Sequence, residues 1–327
     1  MIDLFNINNH TVDTSKFSNF LHSKEVEEVE DKIKEYVGAK YACSFNSASN
    51  IIYVCLKYLN PCFSSPFSVS IPSLIPPVVL NSIHNSGNII KFTDDISWVG
   101  DSYLLHNFGQ FKIIDSAQRL DKDQFANEAN PDDLMFFSFY PTKPCGGMDG
   151  GIIVSNDESK ISFLREISNN GFDKSSGSSW SKNIKYSGYK MYMNSFQAKI
   201  ILENFKKYED KKEKIRVIRE KYNQALGYRN SSTHLYRIQT YNNKKFLKDM
   251  ADSGISCGIH YDCMHDKFLY NKGVKFNCNR STRESYTTAS IPLNESMTNN
   301  QIQKVIDLTL KLKELNFESE CYDIGAL

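Results

Sequence analysis

The sequence predicts an α/β protein with a large domain on a mainly parallel sheet, followed by a smaller α+β C-terminal domain. Short apolar segments alternate with amphipathic segments of helical periodicity along most of the chain, which is typical of strands joined by helices. Several apolar segments show no polar alternation, as expected for strands that helices cover on both faces. Ligands bind such sheets beyond the carboxyl ends of the strands, so residues that follow strands are the first site candidates.

The first helix is predicted over 24–37, where valine and isoleucine recur at helical spacing before Gly38. Apolar runs bounded by turn formers predict the following strands. They are expected at 41–45, 68–71, 88–92, 103–106, 111–114, 134–137 and 152–154. Segments of helical periodicity are expected at 50–59, 78–84 and 160–167.

The chain is predicted to divide near residue 205. Residues 1–205 would form the large domain, with an N-terminal arm over 1–22, and residues 206–327 would form the small domain. A long, bent amphipathic helix from about 194 to 228 is expected to bridge the two.

Three further patterns belong to the second half of the chain. Residues 169–187 are rich in Asn, Ser, Gly and Lys, which predicts a long loop that closes over a substrate. A strand at 235–238 and a helix at 243–253 are expected in the small domain. The last helix is predicted to open with the capping-box pattern Thr298-x-x-Gln301.

Composition excludes several classes of protein. The 39 basic and 38 acidic residues give a net charge of +1, so no overall field favours nucleic acid or an anionic membrane. Apolar runs stay below the ~18 residues of a membrane span, and the first residues lack a signal-peptide pattern. The eight cysteines form no CxxC pair and no Cys/His spacing typical of zinc. We therefore expect a cytoplasmic protein with reduced thiols and no metal.

Lys143 lies between an aromatic strand and a glycine-rich turn. A lysine just past a buried strand loses hydration and part of its ammonium character, and such an amine can attack a carbonyl and form a Schiff base. Taken alone, a lysine near glycines is more often an ordinary surface residue. The neighbouring motifs must decide between these interpretations.

Two of those motifs are expected at the same sheet edge. Asp115 ends a predicted strand, and Gln118 follows three residues later. Gln118 would either lie beside the ring of a bound ligand or act as a more distant hydrogen-bonding group. The turn at 46–49 precedes a helix whose N-terminal N–H groups suit a phosphate, although a serine cap without a ligand is the simpler explanation. Ser138 could reach the same phosphate.

Together these groups describe a pyridoxal-phosphate site. The cofactor needs a lysine amine, a carboxylate that keeps its pyridine nitrogen protonated, and a phosphate cradle. Lys143 and Asp115 would fill the first two roles, and the backbone N–H groups of Ala48 and Ser49 would fill the third with Ser138.

The ordered motifs resemble those of the DegT/StrS-type sugar aminotransferases, within fold type I of the pyridoxal-phosphate enzymes. The resemblance covers most of the chain, in the family's order. The matching segments are Asn46-Ser47-Ala48-Ser49, Ile114-Asp115-Ser116-Ala117-Gln118, Phe137-Ser138-Phe139 with Lys143 and Gly150-Gly151, Gly188-Tyr189-Lys190-Met191-Tyr192-Met193 with Gln197-Ala198, Gly254-Ile255 with His260-Tyr261 and His265, and Ile291-Pro292-Leu293.

The resemblance implies pyridoxal 5'-phosphate as cofactor and a homodimer whose active site is shared between subunits. It implies a ping-pong transfer from glutamate to a nucleotide-linked keto-sugar, in which Lys143 carries the proton. Lys190 takes the place of the asparagine that the family sends into the partner's phosphate site. His260, Tyr261 and His265 are the candidate substrate-binding residues, although the histidines could instead cap local structure and Tyr261 could be simple packing. A lysine at 143 argues against the family's dehydrase branch.

Three positions depart from the family pattern. Pro76 stands where an aromatic residue usually covers the cofactor ring, Lys190 replaces the asparagine, and Tyr192 replaces an arginine. The leading hypothesis is an aminotransferase that aminates C3 or C4 of a keto-6-deoxyhexose for surface polysaccharide or glycan assembly. A catalytically silent relative that binds a sugar nucleotide or a protein partner is a second reading. A lyase or desulfurase is a third, since Cys145 lies two residues from Lys143.

Overall fold

The structure, a computed structural model, describes residues 1–7, 12, 13, 15, 17, 19, 24–60, 65–173, 181–267 and 276–323, the last ten of these by their backbone alone. Ten helices and nine strands alternate in these segments. The helices are α1 Lys24–Val37, α2 Ala48–Tyr58, α3 Pro77–Asn85, α4 Gln124–Glu128, α5 Glu158–Ser168, α6 Ser195–Phe205, α7 Tyr208–Leu226, α8 Asn243–Asp252, α9 Asn279–Thr287 and α10 Asn299–Asp323. The strands are β1 Tyr41–Phe45, β2 Ser68–Pro72, β3 Ile89–Thr93, β4 Tyr103–Asn107, β5 Lys112–Asp115, β6 Leu134–Ser138, β7 Gly151–Ser155, β8 Tyr236–Gln239 and β9 Thr288–Ile291.

The predicted α/β class is confirmed, but the central sheet is mixed where the sequence favoured mainly parallel pairing. Its five strands run in the order β1-β7-β6-β5-β4, and only β5 and β6 pair in parallel. β4 reverses because just four residues, 108–111, join it to β5, and a parallel pair needs a crossover of a dozen or more. β2 and β3 form a separate parallel pair beside β4.

The reversed strand leaves part of the sheet open to solvent. Alternate residues of β3 and β4 are exposed, including Ile89 and Leu104. By contrast, every residue of β7 is buried, as expected for a strand that helices cover on both sides. The sequence prediction of two covered faces is therefore correct for the β1-β7-β6 half of the sheet and wrong for the β3 and β4 region.

Most predicted elements form within two residues of their predicted ends. The helix expected from 194 to 228 is two helices, α6 and α7, separated by Lys206 and Lys207. The capping box of α10 forms, since Gln301 N–H donates to Thr298 Oγ1 and the Thr298 N–H donates to Gln301 Oε1. The middle of the predicted loop, residues 174–180, lies outside the described residues, as do many residues of the predicted arm.

Sequence periodicity did not predict α4, α9 or β9. The sequence of α9 is strongly polar, and its first N–H groups are held by a distant side chain. Arg280 and Ser281 donate backbone hydrogen bonds of 2.9 and 2.7 Å to the carboxylate of Asp94, which follows β3. Tertiary capping of this kind decides a helix that its own sequence does not favour.

Three apolar clusters hold the molecule together. Two are formed by the strands and the helices around them, and the third is built almost entirely from residues after 214. Ile2 belongs to the third cluster and bridges to Ile255, so the first residues of the chain pack against its C-terminal part. Each helix among the described residues is too short or too polar to cross a lipid bilayer.

One ion pair with a buried carboxylate ties α1, β1 and α5 together. Arg165 donates to both carboxylate oxygens of Glu30, at 2.9 and 2.5 Å, and to the carbonyl oxygen of Ala42. The same carboxylate accepts hydrogen bonds from the backbone N–H and hydroxyl of Ser44. All the strong hydrogen-bonding groups of Glu30 are therefore satisfied inside the protein.

We expect Arg165→Leu to lower the free energy of unfolding by about 3–5 kcal/mol, because it leaves the Glu30 carboxylate buried without its partner. Urea unfolding followed by circular dichroism measures the change. Lys34→Ala is the matched control, since it breaks the exposed Lys34 to Asp31 pair and should cost about 1 kcal/mol or less. Equal losses in the two variants would contradict the role assigned to the Arg165 to Glu30 pair.

Candidate active site

Three polar motifs meet at one edge of the sheet because β1, β5 and β6 run in the same direction. β7 is antiparallel to both β1 and β6, so β7 begins where these strands end. The register places Phe45, Gly151 and Ser138 in one row, and Asp115 lies opposite Phe136 in the next strand. The convergence of strand ends that the sequence predicted is therefore present.

Asp115 is a buried carboxylate with two donors. The Ala117 N–H donates to its Oδ1 at 2.9 Å, and the hydroxyl of Tyr103 donates to its Oδ2 at 2.8 Å. Burial raises the pKa of Asp115 above its usual range, and the two donors and the charge of Lys143 partly offset that rise. Tyr103 comes from the reversed strand β4, whose first residue pairs with Asp115.

Lys143 lies in a tight turn that follows β6. Its backbone N–H donates to the carbonyl of Tyr140, and the Gly147 N–H donates to the carbonyl of Phe139, both at 2.8 Å. A Cβ on Gly146 would lie 2.3 Å from the carbonyl oxygen of Pro141, so the turn closes only with glycine there. Desolvation lowers the pKa of Lys143 from 10.5 to about 8, and the attraction of Asp115 partly opposes this fall.

A layer of aromatic and amide groups lies beside the carboxylate. Gln118 accepts a hydrogen bond from the Gly100 N–H at 2.7 Å and donates to the hydroxyl of Tyr261 at 3.0 Å. The ring of Tyr261 stacks on Trp98, with centroids 6.0 Å apart and planes 7° apart. Trp98 in turn contacts Tyr103, so this layer continues to the group that holds Asp115.

The N-terminus of α2 forms the opposite corner of the site. Ser47 caps the helix by accepting from the Asn50 N–H, which leaves the earlier N–H groups at Ala48 and Ser49 for another acceptor. A Cβ on Gly151 would lie 2.7 Å from the Cα of Ala48, so this glycine lets β7 meet the helix end. Gly151 pairs with Ser138, which places that serine in the strand beside the helix N-terminus.

Two histidines interact electrostatically with Lys143. Burial, then the charge of Lys143, lowers the pKa of His260 to about 4 and that of His234 well below its ordinary value. The ring of Phe5 stacks on His234 at 5.3 Å and meets His260 edge-on at 5.8 Å. His260 also shares a 2.9 Å hydrogen bond with the hydroxyl of Ser290.

Sequence reasoning missed Tyr103, Trp98, His234 and Phe5. No motif marks them, and three of them enter through contacts between distant parts of the chain. One signal was available for Tyr103, which begins the strand that precedes the strand ending in Asp115. It indicates a contact with Asp115 only if β4 and β5 are recognised as a hairpin.

Two predicted site residues lie elsewhere in this chain. His265 Nδ1 lies 2.6 Å from the hydroxyl of Ser73 after β2, and its Nε2 lies 3.2 Å from Asp266. Its contacts give no support to a substrate role. Lys190 is exposed, and its backbone forms an isolated bridge with Asn169.

Comparisons with known proteins agree with this geometry. Residues 122–309 match the model of the DegT/DnrJ/EryC1/StrS aminotransferase family. The chain is 24% identical to a UDP-4-amino-4,6-dideoxy-N-acetyl-beta-L-altrosamine transaminase of Campylobacter jejuni, over 76% of this chain and 79% of that protein. It is 25% identical to the spore coat polysaccharide biosynthesis protein SpsC of Bacillus subtilis, over 86% and 88% of the two chains.

Solved structures share the fold. PseC of Helicobacter pylori, an aminotransferase involved in the biosynthesis of pseudoaminic acid, superposes with a TM-score of 0.77 at 16% identity, over 95% of this chain and 99% of that one. The sugar aminotransferase CalS13 of Micromonospora echinospora also gives a TM-score of 0.77, at 14% identity, over 94% and 99% of the two chains.

The residues present fit pyridoxal phosphate. The glycine-permitted approach of β7 to the N-terminus of α2 provides an anion site, the buried carboxylate of Asp115 can hold a protonated pyridine nitrogen, and Lys143 supplies a partly desolvated amine. The family match spans more than half of the chain. The chain therefore belongs to the DegT/DnrJ/EryC1/StrS aminotransferase family and is a pyridoxal-phosphate-dependent aminotransferase.

Proposed function

We propose that this enzyme transfers the amino group of glutamate to C3 or C4 of a nucleotide-linked keto-6-deoxyhexose, for the assembly of a surface polysaccharide or glycan. The observation that carries the proposal is the desolvated amine of Lys143 in electrostatic contact with the buried carboxylate of Asp115. The substrate class rests on the relatives, since one is named a transaminase of a UDP-linked amino-dideoxy sugar and another a polysaccharide biosynthesis protein.

Pyridoxal phosphate supplies an electron sink that stabilises a carbanion at the substrate carbon. Asp115 would hold the proton on the pyridine nitrogen, because its burial and its two donors fix the carboxylate in place. The hydroxyl of Tyr103 orients that carboxylate. Gln118, tied to Gly100 and Tyr261, would lie along the same side of the cofactor.

Lys143 is the proton carrier in this proposal. An amine with a pKa of about 8 has a large neutral fraction at slightly alkaline pH and can still return the proton it takes. Its Nζ would remove a proton from the amino donor's carbon and deliver one to the sugar carbon. Burial of the surrounding groups keeps bulk water from competing for that proton.

The substrate wall is proposed to include His260 and Tyr261. His260 is neutral at physiological pH, so it can donate or accept a hydrogen bond without adding charge beside Lys143. Tyr261 presents a hydroxyl that is already oriented by Gln118. Neutral polar groups of this kind suit sugar hydroxyls.

We further propose that two chains form a homodimer that completes the site. A cavity of about 420 Å³ opens at the N-terminus of α2, lined by Ser49, Tyr53, Val78 and Tyr189 among others. Val78 is about half exposed there, and Lys190 lies on the exposed segment that follows Tyr189. A second chain would cover this surface and bring its own Lys190 to the phosphate as a point charge.

The other readings of the sequence find no comparable support. A silent relative would have no need of a desolvated lysine opposite a buried carboxylate. Cys145, which suggested sulfur chemistry, is a buried thiol whose pKa burial raises to about 12, so it is a poor nucleophile at neutral pH.

Incubation with glutamate and a panel of UDP-, dTDP- and GDP-linked 3-keto and 4-keto sugars should convert at least one of them to an amino sugar, as read by product mass. Lys143→Ala should lower the rate by at least ~10²-fold because it removes the proton carrier. Lys248→Ala, which changes an exposed lysine of α8, is the control and should keep full activity. If none of the sugars in the panel is aminated, the proposed substrate class is contradicted. Breakdown of free amino acids without an acceptor would favour a lyase.

The depressed pKa of Lys143 should also appear in the stability of the cofactor-free protein. The folded chain releases the proton near pH 8 and the unfolded chain near pH 10.5, so the unfolded chain binds more protons between these values. The cost of burying the charged amine is thus relieved as the pH rises through this window. The stability of the protein relative to Lys143→Met should increase from pH 8 to pH 10.5, measured as the difference in urea midpoints. A difference that does not change with pH would show that the amine is well hydrated.

Mixed dimers test the shared site. Lys143→Ala and Lys190→Glu should each have low activity as homodimers, while their mixture contains heterodimers with one complete site. Random pairing should restore about a quarter of the wild-type activity. The control mixes Lys143→Ala with Asp115→Asn, both from the same side of the site, and should restore none. A mixture of the first pair that never exceeds its components would contradict the exchange of Lys190 between subunits.

A further inference from the structure

A cluster of metal-ligand side chains lies away from the groups that surround Lys143. It consists of Cys263, His265 and Asp266, whose sulfur, ring nitrogen and carboxylate oxygen all lie within 4.8 Å of one another. Cys278, a buried thiol outside this 4.8 Å group, is near enough to interact electrostatically with Asp266 and Cys263. We call these four residues the Cys263 cluster.

The distances within the cluster are close to those between the ligands of a zinc ion. His265 Nε2 lies 3.2 Å from Asp266 Oδ1, and Cys263 Sγ lies 3.9 Å from Asp266 Oδ2. Zinc bonds of ~2.0–2.3 Å at tetrahedral angles give ligand separations of about 3.3–3.7 Å. A metal ion could therefore be bound with small rotations of side chains that already face one another.

The orientation of His265 is fixed in the manner of a metal ligand. Its Nδ1 is bonded to the buried hydroxyl of Ser73 at 2.6 Å, which leaves Nε2 directed at Asp266. Histidine ligands usually use their second nitrogen in this way, because that bond sets the ring orientation and the tautomer. Ser73 also accepts the Met264 N–H through its carbonyl at 2.8 Å, so the segment that carries the cluster is held by backbone as well.

Burial in the cluster is graded from inside to outside. The sulfurs belong to buried residues, Cys263 at 4% and Cys278 at 2% exposure, and Cys278 is hydrogen-bonded to Ser73. The side chain of Asp266 is 64% exposed, so an ion can enter past it from solvent. This arrangement gives two thiols, one imidazole and one carboxylate around a site with an open side.

The donor set selects the metal. Thiolate and imidazole ligands favour zinc over magnesium or calcium, which prefer sets of oxygen atoms. Ordinary packing explains a buried cysteine, but it does not explain why a cysteine, an oriented histidine and a carboxylate converge on one point with a second buried thiol nearby. The spacing Cys-x-His-Asp followed by a cysteine twelve residues later departs from common zinc motifs, so sequence patterns gave no signal.

We propose that Cys263, His265 and Asp266 bind one zinc ion, with Cys278 rotating in as the fourth ligand, so that the ion fastens this segment to the start of α9. Tyr261 lies two residues before Cys263 and reaches Gln118 in the cleft. The ion thus has a structural role: it positions Tyr261 in the proposed substrate wall without touching the reacting atoms. The cofactor and Lys143 take no part in binding it.

Zinc content of the tag-free holoenzyme is the first measurement. After incubation with excess zinc and exhaustive buffer exchange, mass spectrometry of metals should give one zinc per chain. X-ray absorption at the zinc edge should show sulfur near ~2.3 Å together with nitrogen or oxygen near ~2.0–2.1 Å. Cys263→Ser should lose the bound zinc, and Ser73→Ala, which removes the hydroxyl that orients His265 and contacts Cys278, should weaken binding by about 10–100-fold.

Cys257→Ser is the matched control, since Cys257 is a free thiol outside the cluster, and it should retain full zinc. Asp266→Asn, at an exposed position, weakens binding without threatening the fold, and circular dichroism with the cofactor absorbance shows that each variant is folded. Zinc that stays far below one per chain would overturn the proposal. So would equal zinc in Cys263→Ser and Cys257→Ser, or a disulfide between Cys263 and Cys278 in the unreduced protein.

Discussion

The active site depends on one electrostatic interaction in a poorly hydrated setting, that of the Lys143 amine with the Asp115 carboxylate. Each group alone would be destabilised by burial, and each partly offsets the cost of the other. The balance leaves the lysine pKa close to neutral pH, where an amine can both take and return a proton. The strand ends, the glycine turn and the aromatic layer of Trp98 and Tyr261 serve to hold these two groups near each other and away from bulk water.

Much of this site could be predicted from the sequence because its motifs follow strands. Asp115 directly follows an apolar run, and Lys143 lies in the turn after another. Because β5 and β6 pair in parallel, the two residues had to reach the same edge. The turn before α2 was recognisable from its small polar residues. Local motifs of this kind predict the site because strands that run in the same direction bring the residues at their ends to one edge of the sheet.

The remainder of the site depends on contacts that no local pattern encodes. Phe5 reaches His234 from the opposite end of the chain, and α9 forms where Asp94 caps it from the end of β3. The break between α6 and α7 occurs at two lysines, which are good helix formers, so composition alone predicted one continuous helix. His265 shows the same limit, because its hydrogen bond to Ser73 joins residues almost two hundred positions apart and no local pattern indicates it.

The four-residue connection between β4 and β5 links two features that otherwise look unrelated. Because β4 and β5 form a hairpin, there is no connecting helix to cover one face of β4. The hairpin also places the first residue of β4 at the ligand-binding edge of the sheet. The same short connection therefore places the Tyr103 hydroxyl at Asp115 and leaves neighbouring aliphatic side chains exposed to solvent. In this protein, the length of one connection determines both the exposure of β4 and the support of Asp115.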